Sequence, residues 1–271
     1  MNRFALSYSP LSPIAPELGR AAILPWDSEH FGFAVGAYAP AEPSSLPVQE
    51  AAFRDSVWNW MQEREVELLS CSVPADSFDW IARLETSGFR FVDLALTAFA
   101  RKLVHLPVPR IGIRRPSPDD APHLERIAGS AFRFGRYHAD PRFPRSLADG
   151  RYRRWIRNAL ESQNEQEFIF VSGPPGKPTG FIHAVIHGTA IDLRLAAVDP
   201  AENTGILGPH LFTAVLGILR DKHGARSAKA RLSAGNISIL SLYSSLGFLF
   251  PQADAVFHLH SPTSKHLLPA T

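Results

Sequence analysis

The sequence lacks the features that mark disulfide-stabilised, cysteine-rich metal-binding or membrane-spanning proteins. Its 271 residues include one cysteine, Cys71, which excludes an internal disulfide and a cysteine-based zinc cage. No apolar run approaches the roughly 20 residues that a transmembrane helix needs. The N-terminal segment is broken by Pro10, Pro13 and Pro16 and has no long apolar core. We therefore expect no signal peptide, no membrane association and a cytoplasmic location.

A large excess of charge of one sign is also missing. The formal net charge is +2, whereas proteins dedicated to nucleic acid usually show a stronger basic bias, so we expect no nucleic-acid partner. The spacing of histidines and acidic residues suggests no metal-ligand cluster, and we expect no metal. With 45% hydrophobic and 20% charged residues, the chain is long enough for one large domain or two modest ones.

The most informative pattern lies between Leu195 and Phe248. The apolar segment from Asp192 to Val198 predicts a strand that stops at Asp199-Pro200, where proline removes a backbone donor. The amphipathic run from Leu211 to Lys222 predicts a helix that ends at Gly224.

The turn between that strand and that helix, Ala201 to Gly208, has two interpretations. Free N–H groups and the dipole at a helix N-terminus attract anions, which favours a pyrophosphate site. An ordinary strand-loop-helix crossover fits equally well, because such glycine signals are weak. A further strand, Ala228 to Ala234, follows, and Asn236 then opens a second amphipathic helix that ends at Gly247.

In this order of elements the chain resembles the GNAT superfamily of coenzyme A-dependent N-acyltransferases. The matching residues are Val198-Asp199-Pro200, Gly208, Asn236, Leu242-Tyr243 and Leu246-Gly247-Phe248. The resemblance implies an α/β (α+β) fold with a mixed, centrally splayed sheet. It also implies acetyl-CoA or another acyl-CoA as co-substrate, no metal, and direct attack by the acceptor amine. No acyl-enzyme forms in this family, so Cys71 is not a candidate nucleophile.

The same resemblance assigns the donor residues. The pyrophosphate would lie on the turn, and the pantetheine arm beside the preceding strand, where the N–H of Ala196 or Val198 would polarise the thioester carbonyl. Tyr243 would protonate the departing thiolate, or it simply packs in its helix. The full expected set is Leu195, Ala196, Ala197, Val198, Asn203, Thr204, Gly205, Ile206, Leu207, Gly208, Asn236 and Tyr243.

The turn departs from the family pattern in one respect. The family usually has Gln or Arg followed by two glycines spaced two apart, and this chain has Asn203, Ile206 and Gly208 at those places. Gly205 lies one residue before the expected glycine and could supply a positive φ.

The general base has several candidates. His183 and His187 lie four apart on a predicted strand, Gly180 to His187, and therefore on one face. We take His183 as the leading candidate. Asp192 and a chain of water molecules are alternatives, and His183 could also be an ordinary packed residue.

The N-terminal part predicts a smaller, related unit. A helix near Ala51 to Glu65, a strand from Glu67 to Val73 and a helix around Phe78 to Ser87 precede Gly88-Phe89 and a strand from Leu94 to Arg101. This ending repeats that of the C-terminal unit and indicates a truncated GNAT-like half. The expected organisation is a degenerate GNAT-like unit at 1–105, a linker at 106–110, a GNAT domain at 111–262 and a tail at 263–271.

Two motifs resemble one GNAT branch, the dTDP-fucosamine acetyltransferases and related sugar N-acyltransferases. They are Trp26-Asp27-Ser28 with Phe31-Gly32, and Ala131 to Tyr137 followed by Tyr152 and Trp155. The arginine-rich segment between Arg133 and Arg157 could bind a sugar nucleotide through guanidinium groups and aromatic rings, or form a solvated, salt-bridged face. The expected acceptor-binding residues are Trp26, Phe31, Arg133, Arg136, Tyr137 and Trp155.

The sequence therefore predicts an N-acyltransferase, most simply an acetyltransferase, that modifies the amine of a nucleotide-linked amino sugar. A protein N-terminus, a polyamine or another small amine are alternative acceptors, and a homodimer is compatible with the family. A module that keeps the fold but has lost catalysis is an alternative of a different class.

Overall fold

The structure is a computed structural model that describes residues 12–15, 18–41, 50–103, 111–202 and 205–267. The chain divides into two compact units. Unit 1 comprises Met1–Ala95, Gly135–Leu147 and Ala253–Thr271, and unit 2 comprises Leu96–Phe134 and Ala148–Gln252. The predicted linker, 106–110, lies outside the described residues, so the domain boundaries inferred from the sequence stay a prediction.

Strands and helices alternate along most of the chain. They are β1 (Ser12–Ala15), β2 (Gly19–Ile23), α1 (Pro25–Phe31), β3 (Ala34–Pro40), α2 (Glu50–Glu63), β4 (Val66–Pro74), α3 (Phe78–Thr86), β5 (Arg90–Ala100), β6 (Ile113–Arg114), a 3-10 turn (Pro118–Asp120), α4 (Ala121–Ala131), α5 (Arg136–Ala139), α6 (Arg145–Glu161), β7 (Glu167–Ser172), β8 (Gly180–His187), β9 (Ala190–Val198), α7 (Leu207–His223), β10 (Ser227–Ser233), α8 (Ile237–Ser245) and β11 (Leu249–His260).

Unit 1 is a mixed sheet with α2 and α3 packed in its main core. Its strand order is β1-β2-β3-β4-β11-β5, with β3 and β4 parallel and β4 and β11 antiparallel. Helix α2 buries Phe53, Val57, Trp60 and Met61, whose spacing repeats every three to four residues and so forms one apolar face. These side chains pack with Leu69 and other residues of the sheet in one cluster.

Unit 2 contains the remaining strands of the 11-stranded sheet and has helices on both faces. Its strand order is β5-β10-β9-β8-β7-β6, and β5 and β11 each contribute residues to both units. Strand β8 has a nearly continuous apolar sequence because helices cover both of its faces. Ile182 packs in a cluster with α7 and α8, whereas Phe181 packs in a cluster with α4 and α6. A strand covered on both faces needs apolar side chains at successive positions.

The secondary structure predicted from hydrophobic periodicity is largely confirmed. Strand β8 has the predicted bounds, and Gly224 ends α7 in the left-handed conformation with φ of 69°. Helix α7 begins at Leu207 rather than at Leu211, because its first turn contains Gly208 and Pro209, which break the apolar pattern but are tolerated there. Within the described residues, no helix has both the length and the apolar character needed to cross a membrane.

The core of unit 1 makes a prediction about stability. Phe53 is fully buried and contacts the rings of Tyr38 and Trp80, whereas Phe78 is 73% exposed in the same unit. We expect Phe53→Ala to lower the free energy of unfolding by about 3–5 kcal/mol, because it removes buried surface and leaves a cavity. The matched control, Phe78→Ala, should change it by less than about 0.5 kcal/mol. Urea denaturation measures both, and equal losses would contradict this description of the core.

Candidate active site

The main feature of unit 2 is a gap between two parallel strands. The pairing of β9 with β10 runs from Ala190↔Ser227 to Leu193↔Ala230 and ends there, although β9 continues to Val198 and β10 to Ser233. On its other side β9 stays paired with β8 as far as Val198↔Gly180. The sheet is therefore splayed at its centre, as expected from the sequence.

A β-bulge in β9 lies where the splay begins. His183 pairs with Leu195 and Ala184 pairs with Leu193, so that Arg194 is an extra residue in the ladder. A bulge increases the local twist and bends the strand, which turns the following segment relative to its neighbours. Leu195 and Ala197 then face the cluster of α4 and α6, while Ala196 and Val198 pack at the edge of the cluster that contains α7 and α8.

The loop that follows β9 is fixed at its start by an ion pair. Arg126 on α4 contacts both carboxylate oxygens of Asp199, and Asp199 Oδ1 also accepts a hydrogen bond of 3.1 Å from the N–H of Ala201. The hydrogen bond from Arg126 lowers the pKa of Asp199. The carboxylate is therefore ionised at neutral pH and holds the first turn of the loop. Asn203 and Thr204, the next predicted donor residues, lie outside the described residues.

The end of this loop has room for a side chain at both of its glycines. Gly205 has φ of 79°, so it supplies the left-handed conformation that the sequence suggested. A methyl group added at Gly205 would meet no atom within 4 Å beyond its chain neighbours, and one added at Gly208 would meet only Leu242 Cδ2 at 4.0 Å. Ile206, which replaces the family glycine, is 63% exposed. Its side chain therefore points away from the core rather than filling the turn.

The N-terminus of α7 is electrostatically suited to an anion. The helix has 17 residues with no acidic residue in the first turn, and Arg220, Lys222 and His223 in the last. Basic residues at the C-terminus complement the helix dipole there, whereas the positive N-terminal end has no acidic side chain of its own helix to neutralise it. The donor N–H groups of the first turn add to this field.

Helix α8 carries the other two predicted donor residues. Asn236 is its N-cap, and Asn236 Oδ1 accepts a hydrogen bond of 3.3 Å from the N–H of Ile239, which confirms the predicted cap. Tyr243 is 4% exposed, and its ring centroid lies 5.4 Å from that of Phe212 and 4.7 Å from that of Phe248. Burial raises the pKa of Tyr243 above the usual value for a phenol. Its hydroxyl therefore stays protonated at neutral pH.

His183 is placed in a dyad that the sequence did not reveal. Its side chain is 2% exposed, and Nε2 lies 2.6 Å from Oε1 of Glu167 on the adjacent strand β7. The hydrogen bond with His183 lowers the pKa of Glu167, so the carboxylate is ionised and acts only as an acceptor. In the neutral imidazole, Nε2 would therefore carry the proton and Nδ1 the lone pair. Nδ1 is buried and has no hydrogen-bond partner among the described residues.

The other base candidates have different environments. His187 is exposed at the end of β8, and Asp192 is buried on β9 with its Oδ2 3.0 Å from Nε of Arg194. The carboxylate of Asp192 already lies beside a cation, whereas Nδ1 of His183 has no hydrogen-bond partner among the described residues. His183 thus stays the leading prediction.

The N-terminal motif forms a packed polar cluster within unit 1. Asp27 is fully buried, and its Oδ2 accepts a hydrogen bond of 3.0 Å from the hydroxyl of Tyr137 and lies 3.5 Å from Nη2 of Arg136. The ring of Phe31 packs edge-on to that of Tyr137 at 5.0 Å. Trp26 is half-buried and stacks with His30. The motif therefore has a structural role, and the predicted contacts of these residues with an acceptor stay a prediction.

The remaining predicted acceptor residues lie in unit 2. Arg133 Nη1 is 3.6 Å from Asp149 Oδ1, and Trp155 stacks with Tyr152. Arg157 pairs with Glu125 on α4. Part of the arginine-rich segment therefore forms ion pairs, as the salt-bridged interpretation required. An acceptor role for Arg133 and Trp155 stays a prediction.

Two groups of side chains that the structure brings together were not predicted from the sequence. Glu167 gave no signal, because it is 16 residues from His183 and only strand pairing brings the two together. The second group is Asp140 with His258 and His260, three buried side chains within unit 1. The spacing of the two histidines, two apart as on one face of a strand, was a usable signal, but the distant aspartate was not.

The arrangement can be compared with known proteins. No protein-family model matches the sequence. The chain is 22% identical over 201 residues to the spore coat polysaccharide biosynthesis protein SpsD of Bacillus subtilis (strain 168), covering 73% of this chain and 68% of that protein.

Two solved structures show the fold. A GCN5-related N-acetyltransferase from Sphaerobacter thermophilus aligns with a TM-score of 0.63 and 14% identity, covering 90% of this chain and 76% of that one. A GCN5-related glucosamine N-acetyltransferase region of a fungal multi-domain GH3 β-N-acetylglucosaminidase aligns with a TM-score of 0.61 and 12% identity, covering 89% and 31%. The chain therefore has the GNAT fold, which confirms the fold class expected from the sequence.

Proposed function

We propose that this protein is an acyl-CoA-dependent N-acyltransferase, and that its acceptor is the amino group of a nucleotide-linked amino sugar. The observation that carries the donor half is the splay between β9 and β10, which opens beside the loop that leads into the N-terminus of α7. A GNAT fold alone allows many acceptors, so the acceptor depends on features other than the fold.

The donor half rests on the fit of unit 2 to an acyl-coenzyme A. The pyrophosphate would take the donors of the loop from Gly205 to Gly208, where the positive end of α7 favours negative charge. The pantetheine amides would pair with backbone groups of β9 between Leu195 and Val198. Asn236, at the start of α8, would donate its side-chain amide to the same arm while Oδ1 keeps the cap.

Three groups would carry the chemistry, and Glu167 would support one of them. The acceptor amine attacks the thioester carbonyl once it has lost a proton, and Nδ1 of His183 would accept that proton, with Glu167 stabilising the imidazolium through Nε2. A backbone N–H of Ala196 or Val198 would stabilise the negative charge that develops on the carbonyl oxygen. Tyr243, held protonated by burial, would give its proton to the leaving thiolate.

The acceptor half rests on weaker likenesses. SpsD is named for polysaccharide biosynthesis, and the fungal region is named for N-acetylation of glucosamine. The two sequence motifs that resemble sugar N-acyltransferases point to the same acceptor class. The location that we propose for the protein is cytoplasmic. In unit 2, Trp155 is half-buried and keeps part of its ring accessible for contact with a sugar or base.

The decisive experiment measures thiol release from acetyl-CoA with a panel of acceptors. We expect activity with dTDP- or UDP-linked amino sugars and little with peptides or polyamines. Activity confined to peptides or polyamines would contradict the proposed acceptor but leave the protein an N-acyltransferase. The absence of any thermal stabilisation by millimolar acetyl-CoA would instead favour an inactive module, since a ligand that binds the folded state must stabilise it.

Gly208 provides a test of the pyrophosphate site, because one substitution should lower the affinity for acetyl-CoA without lowering the stability of the free protein. The variant Gly208→Asp places a negative charge in the first turn of α7, where the helix dipole favours it and where the side chain has room. We expect the free protein to be at least as stable as wild type and its affinity for acetyl-CoA to fall about tenfold or more. Calorimetric titration measures the affinity. The matched variant Gly208→Asn, neutral and of the same size, should bind much more tightly than Gly208→Asp, and equal affinities would contradict the site.

Tyr243 tests the general acid. The variant Tyr243→Phe keeps the ring contacts with Phe212 and Phe248 and removes only the hydroxyl. We expect kcat to fall about a hundredfold or more while the dissociation constant of acetyl-CoA is unchanged. Because burial raises the pKa of this hydroxyl, the wild-type rate should show no loss from its ionisation between pH 6 and about 10. An unchanged kcat in the variant would remove Tyr243 from the mechanism.

Substitution of His183 tests the proposed general base, and His187 on the same strand provides the control. We expect His183→Gln to lower kcat about a hundredfold or more with acetyl-CoA binding intact, because Gln can still bond Glu167 but cannot take a proton. His187→Gln, on the same strand but exposed, should have wild-type kcat. If both variants keep wild-type kcat, a water chain or Asp192 must serve as base instead.

A further inference from the structure

Unit 1 contains a buried cluster that the proposed acyl transfer does not use. Asp140 Oδ2 lies 2.6 Å from Nδ1 of His258 and 2.7 Å from Nε2 of His260. The side chains of Asp140 and His258 are at most 1% exposed, and that of His260 is 4% exposed. Two imidazole nitrogens and one carboxylate oxygen therefore converge on one point from two segments that are distant in the sequence.

The two histidines are presented by a well-anchored strand. They lie two residues apart on β11, so their side chains leave the same face of the sheet. Strand β11 pairs with β4 at both positions, His258 opposite Ser70 and His260 opposite Leu68. The ring of His258 also packs against that of Tyr137 at 5.6 Å.

Asp140 is held in place by its own turn. Its Oδ1 accepts a hydrogen bond of 3.0 Å from the N–H of Arg142, and its carbonyl oxygen accepts one of 3.1 Å from the N–H of Phe143. Oδ2 is thereby directed at the two imidazoles. Ligand side chains whose orientation is fixed in this way are typical of metal sites with a supporting outer shell.

The spacing fits a divalent transition metal after a small movement. Zinc binds imidazole nitrogen and carboxylate oxygen at about 2.0–2.2 Å, and tetrahedral geometry separates two such ligand atoms by about 3.3 Å. The carboxylate oxygen and each nitrogen therefore need to separate by about 0.7 Å. This group is the one set of three histidine, cysteine or acidic residues with converging ligand atoms in the described part of the chain.

Two members of the cluster also line a cavity within unit 1. Asp140 and His260 line a cavity of about 410 Å³ together with Glu85, Phe91 and Arg142. Three protein ligands with an open fourth position are characteristic of zinc sites that keep an exchangeable water, whereas structural sites are usually closed by four protein ligands.

We propose that Asp140, His258 and His260 form a three-ligand site for a divalent transition metal of the zinc class, with water from the cavity as the fourth ligand. The site is independent of the proposed acyl transfer, because none of its ligands belongs to the donor site of unit 2. The competing interpretation is a metal-free cluster in which one carboxylate oxygen accepts hydrogen bonds from two neutral imidazoles.

The test uses the full chain after treatment with a chelator. Titration with Co²⁺, followed by visible absorption, should show one ion bound per chain with the intense bands of a low-coordinate nitrogen and oxygen site, and Zn²⁺ should displace it and raise the melting temperature. His260→Ala and Asp140→Asn should each weaken binding at least as much as the 10–100-fold known for loss of an outer-shell partner. The matched control is His266→Ala, an exposed histidine of the same unit that pairs with Glu67, and it should bind Co²⁺ like wild type.

Three results would overturn the proposal. They are wild-type protein without saturable Co²⁺ bands, His260→Ala and Asp140→Asn variants that bind like wild type, or a His266→Ala variant that loses binding. If a ligand variant does not fold, long-range ¹⁵N NMR of the wild-type chain decides the question. Zn²⁺ should then shift Nδ1 of His258 and Nε2 of His260, and shifts confined to other histidines would contradict the site.

Discussion

Everything proposed for the donor half depends on the place where β9 and β10 stop pairing. Parallel strands inside a sheet normally satisfy each other's backbone groups along their whole length, because unpaired buried N–H and C=O groups are costly. Here the ladder ends after Leu193↔Ala230 while both strands continue, and the bulge at Arg194 turns the end of β9. Strand β9 continues to Val198 and the loop that leads to α7 begins directly after it, so that strand edge and helix N-terminus follow each other in the chain.

A second constraint is the pairing of buried charge. A carboxylate buried without partners is very unfavourable, and each buried acid described here has them. Asp199 is held by Arg126 and orders the loop, Asp27 is held by Tyr137 and orders the N-terminal motif, and Asp140 is held by two histidines. The motif that suggested an acceptor site therefore has a structural explanation of its own. Any acceptor contact must come in addition to that role.

Periodicity and turn chemistry predicted most of the local structure, because these signals act over a few residues. The bounds of β8, the end of α7 at Gly224, the cap at Asn236 and the positive φ of Gly205 all follow from neighbouring residues. The start of α7 was placed four residues late, since glycine and proline in its first turn carry no apolar signal. The GNAT fold was predicted from a family resemblance that joins this order of elements to residues such as Gly208, Asn236 and Tyr243.

The sequence by itself thus determined the elements and their order, because each depends on a short run of side chains and on backbone geometry. The donor residues stay a prediction from the family resemblance. Only the tertiary structure decided which distant groups meet. Strand pairing gave His183 its carboxylate partner Glu167, and the packing of residues 135–147 within unit 1 brought Asp140 to the two histidines of β11. Contacts of this kind cannot be predicted from a local sequence pattern, since the partners are separated by 16 and about 120 residues.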